Sequence, residues 1–227
     1  LALRNAERLN AVLSQLLDLS RIASGRLTCR FNEVNLKSLI LHQLETLNAA
    51  CLQNGCGFDF DRARTEAAKL PSLLGDATRI EQVVRDVFGN AVKFANPEKP
   101  SVQCSFKQGD GFVLLRIENT TSQSESGDHS KVFSQSEKVL SRTHEGLGGS
   151  LAIAAEVLSQ HGGSLKTKCS KGLFSVEIRI PLLEGEEALE RVLGSRMYAT
   201  KSEVGGVSLM ILDVGSKSLG PVSEALK

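Results

Sequence analysis

The sequence contains no tryptophan and only one tyrosine, and its aromatic residues are mainly the nine phenylalanines among 227 residues. A hydrophobic core therefore has to be built mainly from leucine, valine, isoleucine and alanine, and a hydrophobic content of 41% is enough for one. No apolar run approaches the roughly 20 residues that a membrane helix needs. The net charge is +1, and the basic residues are neither clustered nor interleaved with aromatics. These absences exclude a membrane segment in this chain and argue against nucleic-acid binding.

None of the five cysteines forms a C-x-x-C pair, and their odd number and scattered positions do not suggest a disulfide framework. We expect reduced thiols, a cytoplasmic location and cysteines that act as small buried hydrophobic side chains. A zinc site is the less favoured alternative. The chain also begins without a methionine or a secretory signal. We therefore expect a fragment, with any sensor or membrane part outside it.

A long helix is predicted from about residue 77 to residue 95, where apolar residues recur at steps of three and four: Ile80, Val83, Val84, Val87, Ala91 and Phe94. Asp86, Asn90 and Lys93 are spaced at i, i+4 and i+7, so they share another face of this helix. A carboxylate, an amide oxygen and an ammonium group suit Mg²⁺ and phosphate. The alternative is a solvated helix face, and the spacing alone leaves both open.

A glycine-rich segment, Gly146-Leu147-Gly148-Gly149, precedes a second predicted helix over residues 150–160. Glycine lets backbone N–H groups approach a phosphate closely, and the N-terminus of a helix favours negative charge. A glycine run is a weak signal by itself. Together with the polar face of the first helix, it indicates a cradle for Mg²⁺ and a triphosphate.

At this point the chain resembles a known family. Asn90-Ala91-Val92-Lys93-Phe94 resembles the N box, and Gly146-Leu147-Gly148 the second glycine box, of the ATP-binding region of sensor histidine kinases, within the wider GHKL ATPases. The resemblance extends from about residue 1 to residue 183. It implies an α/β fold: a two-layer sandwich of a mixed sheet with helices on one face. It also implies two-component signalling with ATP and Mg²⁺ as cofactors.

The resemblance assigns a role to each of these side chains. Asn90 would be the metal ligand and would contact the nucleotide. Asp86, the catalytic candidate, would hold a water molecule or assist proton removal. Lys93 would meet phosphate as a point charge. The backbone of Gly146, Leu147, Gly148 and Gly149 would bind the phosphates.

Residues 1–24 are predicted to be one helix, because Leu9, Val12, Leu16 and Leu19 form a heptad seam. The seam suits either an amphipathic helix packed on its own domain or a helix bundle. The segment L-L-D-L-S-R-I-A-S-G-R-L resembles the end of the second helix of the family's dimerisation hairpin, which implies a homodimer. The expected division is a hairpin helix over 1–26, an ATP-binding domain over 27–184, and an incomplete α/β unit over 185–227. That last unit begins with a linker helix and resembles the opening of a GGDEF domain.

Two departures from the family pattern concern the nucleotide. In the family's first glycine box, an Asp followed by spaced glycines holds the adenine amino group. In this sequence we match that Asp to Glu118, whose side chain is one methylene longer. Residues 118–122 contain neither of the two glycines. Thr and Ser do not adopt positive φ cheaply, so we expect weak ATP binding, with normal binding as the alternative. In the second box, Ser150 stands where the last glycine is expected.

The family's phosphoacceptor histidine lies on the first helix of the hairpin, which this chain does not include. The histidines present, at positions 42, 129, 144 and 161, are not preceded by the acceptor motif. Two functions therefore stay open. The chain is either the catalytic module of a histidine kinase, with γ-phosphoryl transfer to a histidine outside it, or a pseudokinase that binds a partner kinase or response regulator.

Overall fold

The computed structural model describes residues 2–122, 127–128, 148–184, 188 and 190–193. The helices are α1 (Ala2–Ala23), α2 (Leu36–Gln53), α3 (Phe60–Ala67), α4 (Ala77–Lys93) and α5 (Gly148–Gln160). The strands are β1 (Asn32–Asn35), β2 (Gly57–Phe58), β3 (Ser72–Gly75), β4 (Ser101–Gly109), β5 (Phe112–Thr120), β6 (Gly127–Asp128), β7 (Ser164–Ser170) and β8 (Leu173–Pro181).

Asparagine and aspartate side chains start three of the helices. Asn35, Asp59 and Asp76 each accept a hydrogen bond from the backbone N–H three residues on, at the beginnings of α2, α3 and α4. Such caps contribute about 0.5–2 kcal/mol each. The cap at Asp59 turns the chain into α3 directly after the two residues of β2.

The main sheet has six strands in the order β2-β4-β5-β8-β7-β6. The β2–β4 pairing is parallel and the others are antiparallel, so the sheet is mixed, as the resemblance implied. Strands β1 and β3 form a separate antiparallel pair. The shared register across the middle of the main sheet places Ile117 between Cys104 and Val176.

The helices pack on one face of this sheet, as the alternating burial of strand residues shows. Alternate residues of β4, β5 and β8 are buried and join the apolar stripe of α4 in one core: Val102, Cys104, Phe106, Val113, Leu115, Ile117, Val176, Ile178 and Ile180. The intervening residues face away from the helices, and Arg116 there pairs with Glu177 across the strands, Nη2 to Oε2, at 3.5 Å. The expected two-layer arrangement is confirmed.

The cysteines match their expected structural role. All five are buried thiols. Burial raises the pKa of the Cys29 and Cys51 thiols to about 12, so they stay protonated and unreactive at neutral pH. Within the described part of the chain, no group of three or more His, Cys, Asp or Glu residues could hold a metal ion.

Helix α1 divides its apolar residues between two environments. Near its C-terminal end, Leu19 and Ile22 pack against the core. The earlier residues of the seam are exposed, with Leu9 at 70% and Leu16 at 54%. None of the described helices is both long and apolar enough to cross a membrane. The predicted unit over 185–227 lies outside the described residues, except for helical residues at 188 and 190–193.

Candidate functional site

A cavity of about 280 Å³ lies between α4, α5 and the ends of β5 and β8. Most of its lining is apolar: Val87, Ala91, Phe94, Ala95, Ile117, Leu151, Phe174 and Val176. Its polar lining residues are Asn90, Asn119, Thr121 and Ser122. Small-molecule pockets usually enclose about 300–1,000 Å³. This cavity therefore has room for a planar ring system, with any longer ligand extending out of it.

Asn90 is the predicted site residue that the structure places directly in the cavity. Its Nδ2 donates to the Oγ of Ser150 at 3.1 Å, a bond that joins α4 to the first turn of α5. Gly148 and Gly149 precede Ser150 in that turn. The structure thus brings Asn90 of α4 to the start of α5. Gly146 and Leu147, the other half of the predicted glycine segment, lie outside the described residues.

Asp86 lies one helical turn before Asn90, on the same face of α4, and is not part of the cavity lining. The side chain is partly buried, and burial raises the pKa of its carboxyl from 3.8 to about 6. The charge of Arg85 lowers this pKa and the charge of Asp18 raises it. Asp86 is therefore mostly ionised at neutral pH but able to exchange a proton near pH 6, which suits a group that assists proton transfer.

Lys93 is exposed, and its Nζ lies 4.9 Å from the centre of the Phe94 ring. A cation over an aromatic face is stabilised by the ring quadrupole. Phe94 lines the cavity, so Lys93 is next to the site without being one of its lining residues. Of the three polar residues predicted on this face of α4, Asn90 lines the cavity, and Asp86 and Lys93 lie beside it.

Glu118 does not line this cavity, which corrects its predicted placement. The next residue of β5, Asn119, lines it instead. Successive residues of a strand face opposite sides of a sheet. Ile117 and Asn119 face the helices and line the cavity. Glu118 faces the other side, in a separate hollow of about 310 Å³ with Arg62 and Arg116. The alternation of β5 was the signal that could have set this register from the sequence.

Asn119 occupies the position that Glu118 was expected to hold. The side chain is buried, and its Nδ2 donates to the backbone oxygens of Phe94 at 3.2 Å and Thr120 at 2.9 Å. Both amide protons are thus engaged by carbonyl groups. The amide oxygen is then the part of Asn119 that is left to accept a hydrogen bond from a ligand.

A buried ionic cluster at the other end of the same face of α4 was not predicted. Asp18 of α1 is 5% exposed, and its Oδ2 accepts from the Nη1 of Arg79 at 2.9 Å and the Nε2 of Gln82 at 3.0 Å. Burial raises the pKa of Asp18, but the bonds from Arg79 and Gln82 outweigh it and hold the pKa below its ordinary value. The sequence signal was one acidic residue within the apolar seam of α1.

His161 directly follows α5 and packs into the interior of the fold. It is buried, its Nε2 accepts from the N–H of Asp76 at 2.9 Å, and its Nδ1 donates to the carbonyl of Val157 at 2.7 Å. Burial lowers the pKa of the imidazole, so the ring is neutral and links the end of α5 to the cap of α4.

Comparison with known proteins identifies the region that contains this site. Residues 75–184 match the family model described as histidine kinase-, DNA gyrase B-, and HSP90-like ATPase. This match and the histidine kinase relatives support a sensor histidine kinase ATPase region at residues 75–184. The whole cavity, together with Asp86, Asn90 and α5, falls within this ATPase domain.

Relatives of the ATPase domain extend the similarity toward the N-terminus. The chain is 28% identical over 179 residues to the peroxide stress-activated histidine kinase mak1 of Schizosaccharomyces pombe, covering 75% of this chain and 11% of that protein. It is 26% identical over 197 residues to the autoinducer 2 sensor kinase/phosphatase LuxQ of Vibrio cholerae, covering 83% of this chain and 23% of that protein. The chain thus spans less than a quarter of either relative.

A solved structure shows the same fold. The full-length ShkA structure in complex with AMPPNP matches with a TM-score of 0.62 and 20% identity, covering 83% of this chain and 39% of that one. The fold class expected from the sequence is confirmed.

The residues of the ATPase domain fit the two cofactors that the family implies. Because the nitrogen of the Asn90 amide is committed to Ser150, the amide oxygen is the atom left for a cation. Mg²⁺ prefers such oxygen ligands and binds through few protein groups. The apolar cavity with the acceptor oxygen of Asn119 suits a nucleobase that carries an amino group.

Proposed function

We propose that this chain is the ATP-binding and phosphoryl-donating module of a sensor histidine kinase. It binds ATP with Mg²⁺ and transfers the γ-phosphoryl group to a histidine on a helix outside this chain. The observation that supports this most directly is the position of Asn90, an amide oxygen donor beside an apolar cavity and next to the first turn of α5.

The base end of ATP would enter the cavity. The side chains of Ile117, Leu151 and Phe174 supply apolar walls for a planar ring. The amide oxygen of Asn119 would accept from the adenine amino group, since both amide protons are already donated to carbonyl groups. A neutral acceptor is weaker than a carboxylate, so affinity lower than that of a typical family member is expected.

The phosphate end would lie along α4 toward the start of α5. Asn90 would hold Mg²⁺, which neutralises phosphate charge when bound. Lys93 would contact phosphate, and the backbone N–H groups at Gly148 and Gly149 would bind its oxygens, favoured by the dipole of α5. Asp86 would hold a water molecule or accept a proton, because its pKa of about 6 allows both states.

A pseudokinase is the second candidate, and specific observations favour it. Asn119 stands where the family has a carboxylate, and Thr121 and Ser150 add side chains where glycines are expected. In that role the domain would bind a partner kinase or response regulator without turnover. Both candidates include a cytoplasmic homodimer through the exposed seam of α1, and a separate unit after residue 184.

Calorimetry with ATP and Mg²⁺ tests the proposal. We expect measurable binding in the unaltered chain, a loss of about tenfold or more in Asn90→Ala, and no change in the matched control Glu118→Gln, which faces the other side of the sheet. Thermal unfolding of each variant separates lost binding from lost folding.

Phosphotransfer decides between the two candidates. The chain is mixed with radiolabelled ATP and a separately supplied dimerisation hairpin that contains the acceptor histidine. Labelling of the hairpin supports the kinase. Binding of ATP without labelling supports the pseudokinase, and the absence of any ATP binding rejects the kinase.

A further inference from the structure

We propose that Ser150 is a positioning residue that orients the amide of Asn90 for cation binding. This inference rests on the proposed function, because it treats Asn90 as the ligand of Mg²⁺. Ser150 is not at a position where the family supplies a side chain, since a glycine is expected there. The hydroxyl is therefore an addition of this chain.

Ser150 lies in α5 and contacts the Asn90 side chain of α4. It is 9% exposed and lies in the first turn of α5, and its Oγ accepts from the Nδ2 of Asn90 at 3.1 Å. The bond crosses from one helix to another that is 60 residues away in sequence. The backbones of α4 and α5 therefore fix both ends of this contact.

The orientation of an asparagine amide decides whether it binds a cation. The two ends of the group have nearly the same shape, but one presents a carbonyl oxygen and the other two N–H donors. A rotation by 180° about the last side-chain bond would aim the N–H groups of Asn90 at the cation. In the observed orientation the Oγ of Ser150 accepts from Nδ2, so Oδ1 lies on the side away from Ser150. A rotated amide could keep a bond to Ser150 only if the hydroxyl reversed its role and donated to Oδ1.

The same bond would serve a purely structural role if it only tied α4 to α5. The two roles make different predictions. A structural tie affects the unfolding temperature and leaves the metal dependence of the folded protein unchanged. A positioning role changes the orientation of the Asn90 amide and the Mg²⁺ requirement, while metal-free binding of ATP is retained.

The experiment uses the full chain with Ser150→Ala, with Ser150→Thr as the variant that keeps the hydroxyl. Nuclear magnetic resonance of the Asn90 side-chain amide is recorded without nucleotide or metal. We expect one slowly exchanging amide proton in the unaltered chain and in Ser150→Thr, and fast exchange of both protons in Ser150→Ala. This readout needs neither ATP binding nor activity.

The second readout is a Mg²⁺ titration at a fixed, subsaturating ATP concentration. We expect the Mg²⁺ midpoint to rise about tenfold in Ser150→Ala, the usual effect of losing a group that orients a metal ligand. Recovery in Ser150→Thr and unchanged ATP binding without metal support the positioning role. An unchanged midpoint overturns it. A lower midpoint also overturns it, because the hydroxyl would then compete with the cation for the amide oxygen.

Failure of the proposed function gives a different result. If the unaltered chain binds no ATP, the nucleotide-binding proposal fails, and the amide exchange of Asn90 still tests Ser150. Equal exchange in the unaltered chain and in Ser150→Ala then overturns the positioning role independently.

Discussion

Replacing Asp86 with asparagine should make the protein more stable and less active. Burial raises the pKa of this carboxyl from 3.8 to about 6, so the folded state binds the proton more tightly than the unfolded state. The free energy of unfolding therefore falls as the pH rises from about 4 to about 6 and is constant above that range. A difference of about 2 pH units, at about 1.4 kcal/mol each, amounts to about 3 kcal/mol.

The asparagine variant keeps the shape of the side chain and removes this pH-dependent cost. We expect Asp86→Asn to be more stable by about 3 kcal/mol at pH 8, by about half of that at pH 5, and by almost nothing below pH 4. In a chain of this size the gain at pH 8 corresponds to a rise of about 6–12 °C in melting temperature. If Asp86 holds a water molecule or a proton, phosphotransfer should fall in the same variant.

Urea unfolding at pH 4, 5 and 8 measures the effect. The control is Asp110→Asn, an exposed carboxylate in the turn between β4 and β5, which should change stability little at any of these pH values. A gain for Asp86→Asn that is the same at pH 4 and pH 8 would refute the argument, because it would not come from ionisation. Destabilisation at pH 8 would refute it as well.

Three further outcomes are expected. Because burial lowers the pKa of His161, the free energy of unfolding should fall as the pH drops below 6.5. This pH dependence should be weaker in His161→Gln. Both proteins are measured in the Asp86→Asn background, because the titration of Asp86 would otherwise offset that of His161. Asn119→Asp should destabilise the fold by about 1–3 kcal/mol, since it sets a carboxylate against two carbonyl oxygens; an unchanged free energy of unfolding in urea would contradict this. Arg79→Met should cost about 3–5 kcal/mol by leaving Asp18 buried without its cation, and hydrogen exchange should show α1 opening. Adding Asp18→Asn should recover part of that loss, and additive effects in the double mutant would contradict the pairing.

The elements that the sequence predicts correctly are those with a long periodic pattern. The stripe of α4 spans several turns, so its buried face and the position of Asn90 follow from spacing alone. Strand β5 is also periodic, but the match to the family box places its carboxylate one residue early, at Glu118. A shift by one residue reverses the face of a strand, so a small error in register becomes a complete error in location.

The remaining features depend on contacts between distant segments. Nothing in the local sequence around Asp18 indicates that Arg79 lies beside it, because the two residues are 61 positions apart. The hydrogen bond between Asn90 and Ser150 likewise joins distant residues, and the local sequence does not indicate it. Neutral His161 could not be predicted either, since its pKa depends on burial by elements remote in the chain. Local patterns predict elements, and tertiary contacts determine the chemistry of their side chains.

The ionic cluster of Asp18 connects helix α1 to the helix that carries Asp86. Arg79 and Gln82, which hold Asp18, are on the same helix as Asp86, and the charge of Asp18 raises the pKa of Asp86. A rotation of α1 about its own axis by the angle between successive residues, about 100°, would move the carboxylate of Asp18 away from α4. We expect such a turn to lower the pKa of Asp86. A titration of Asp86 would then report the rotation of α1 as a change in pH midpoint, and an unchanged midpoint on displacing α1 would exclude the connection.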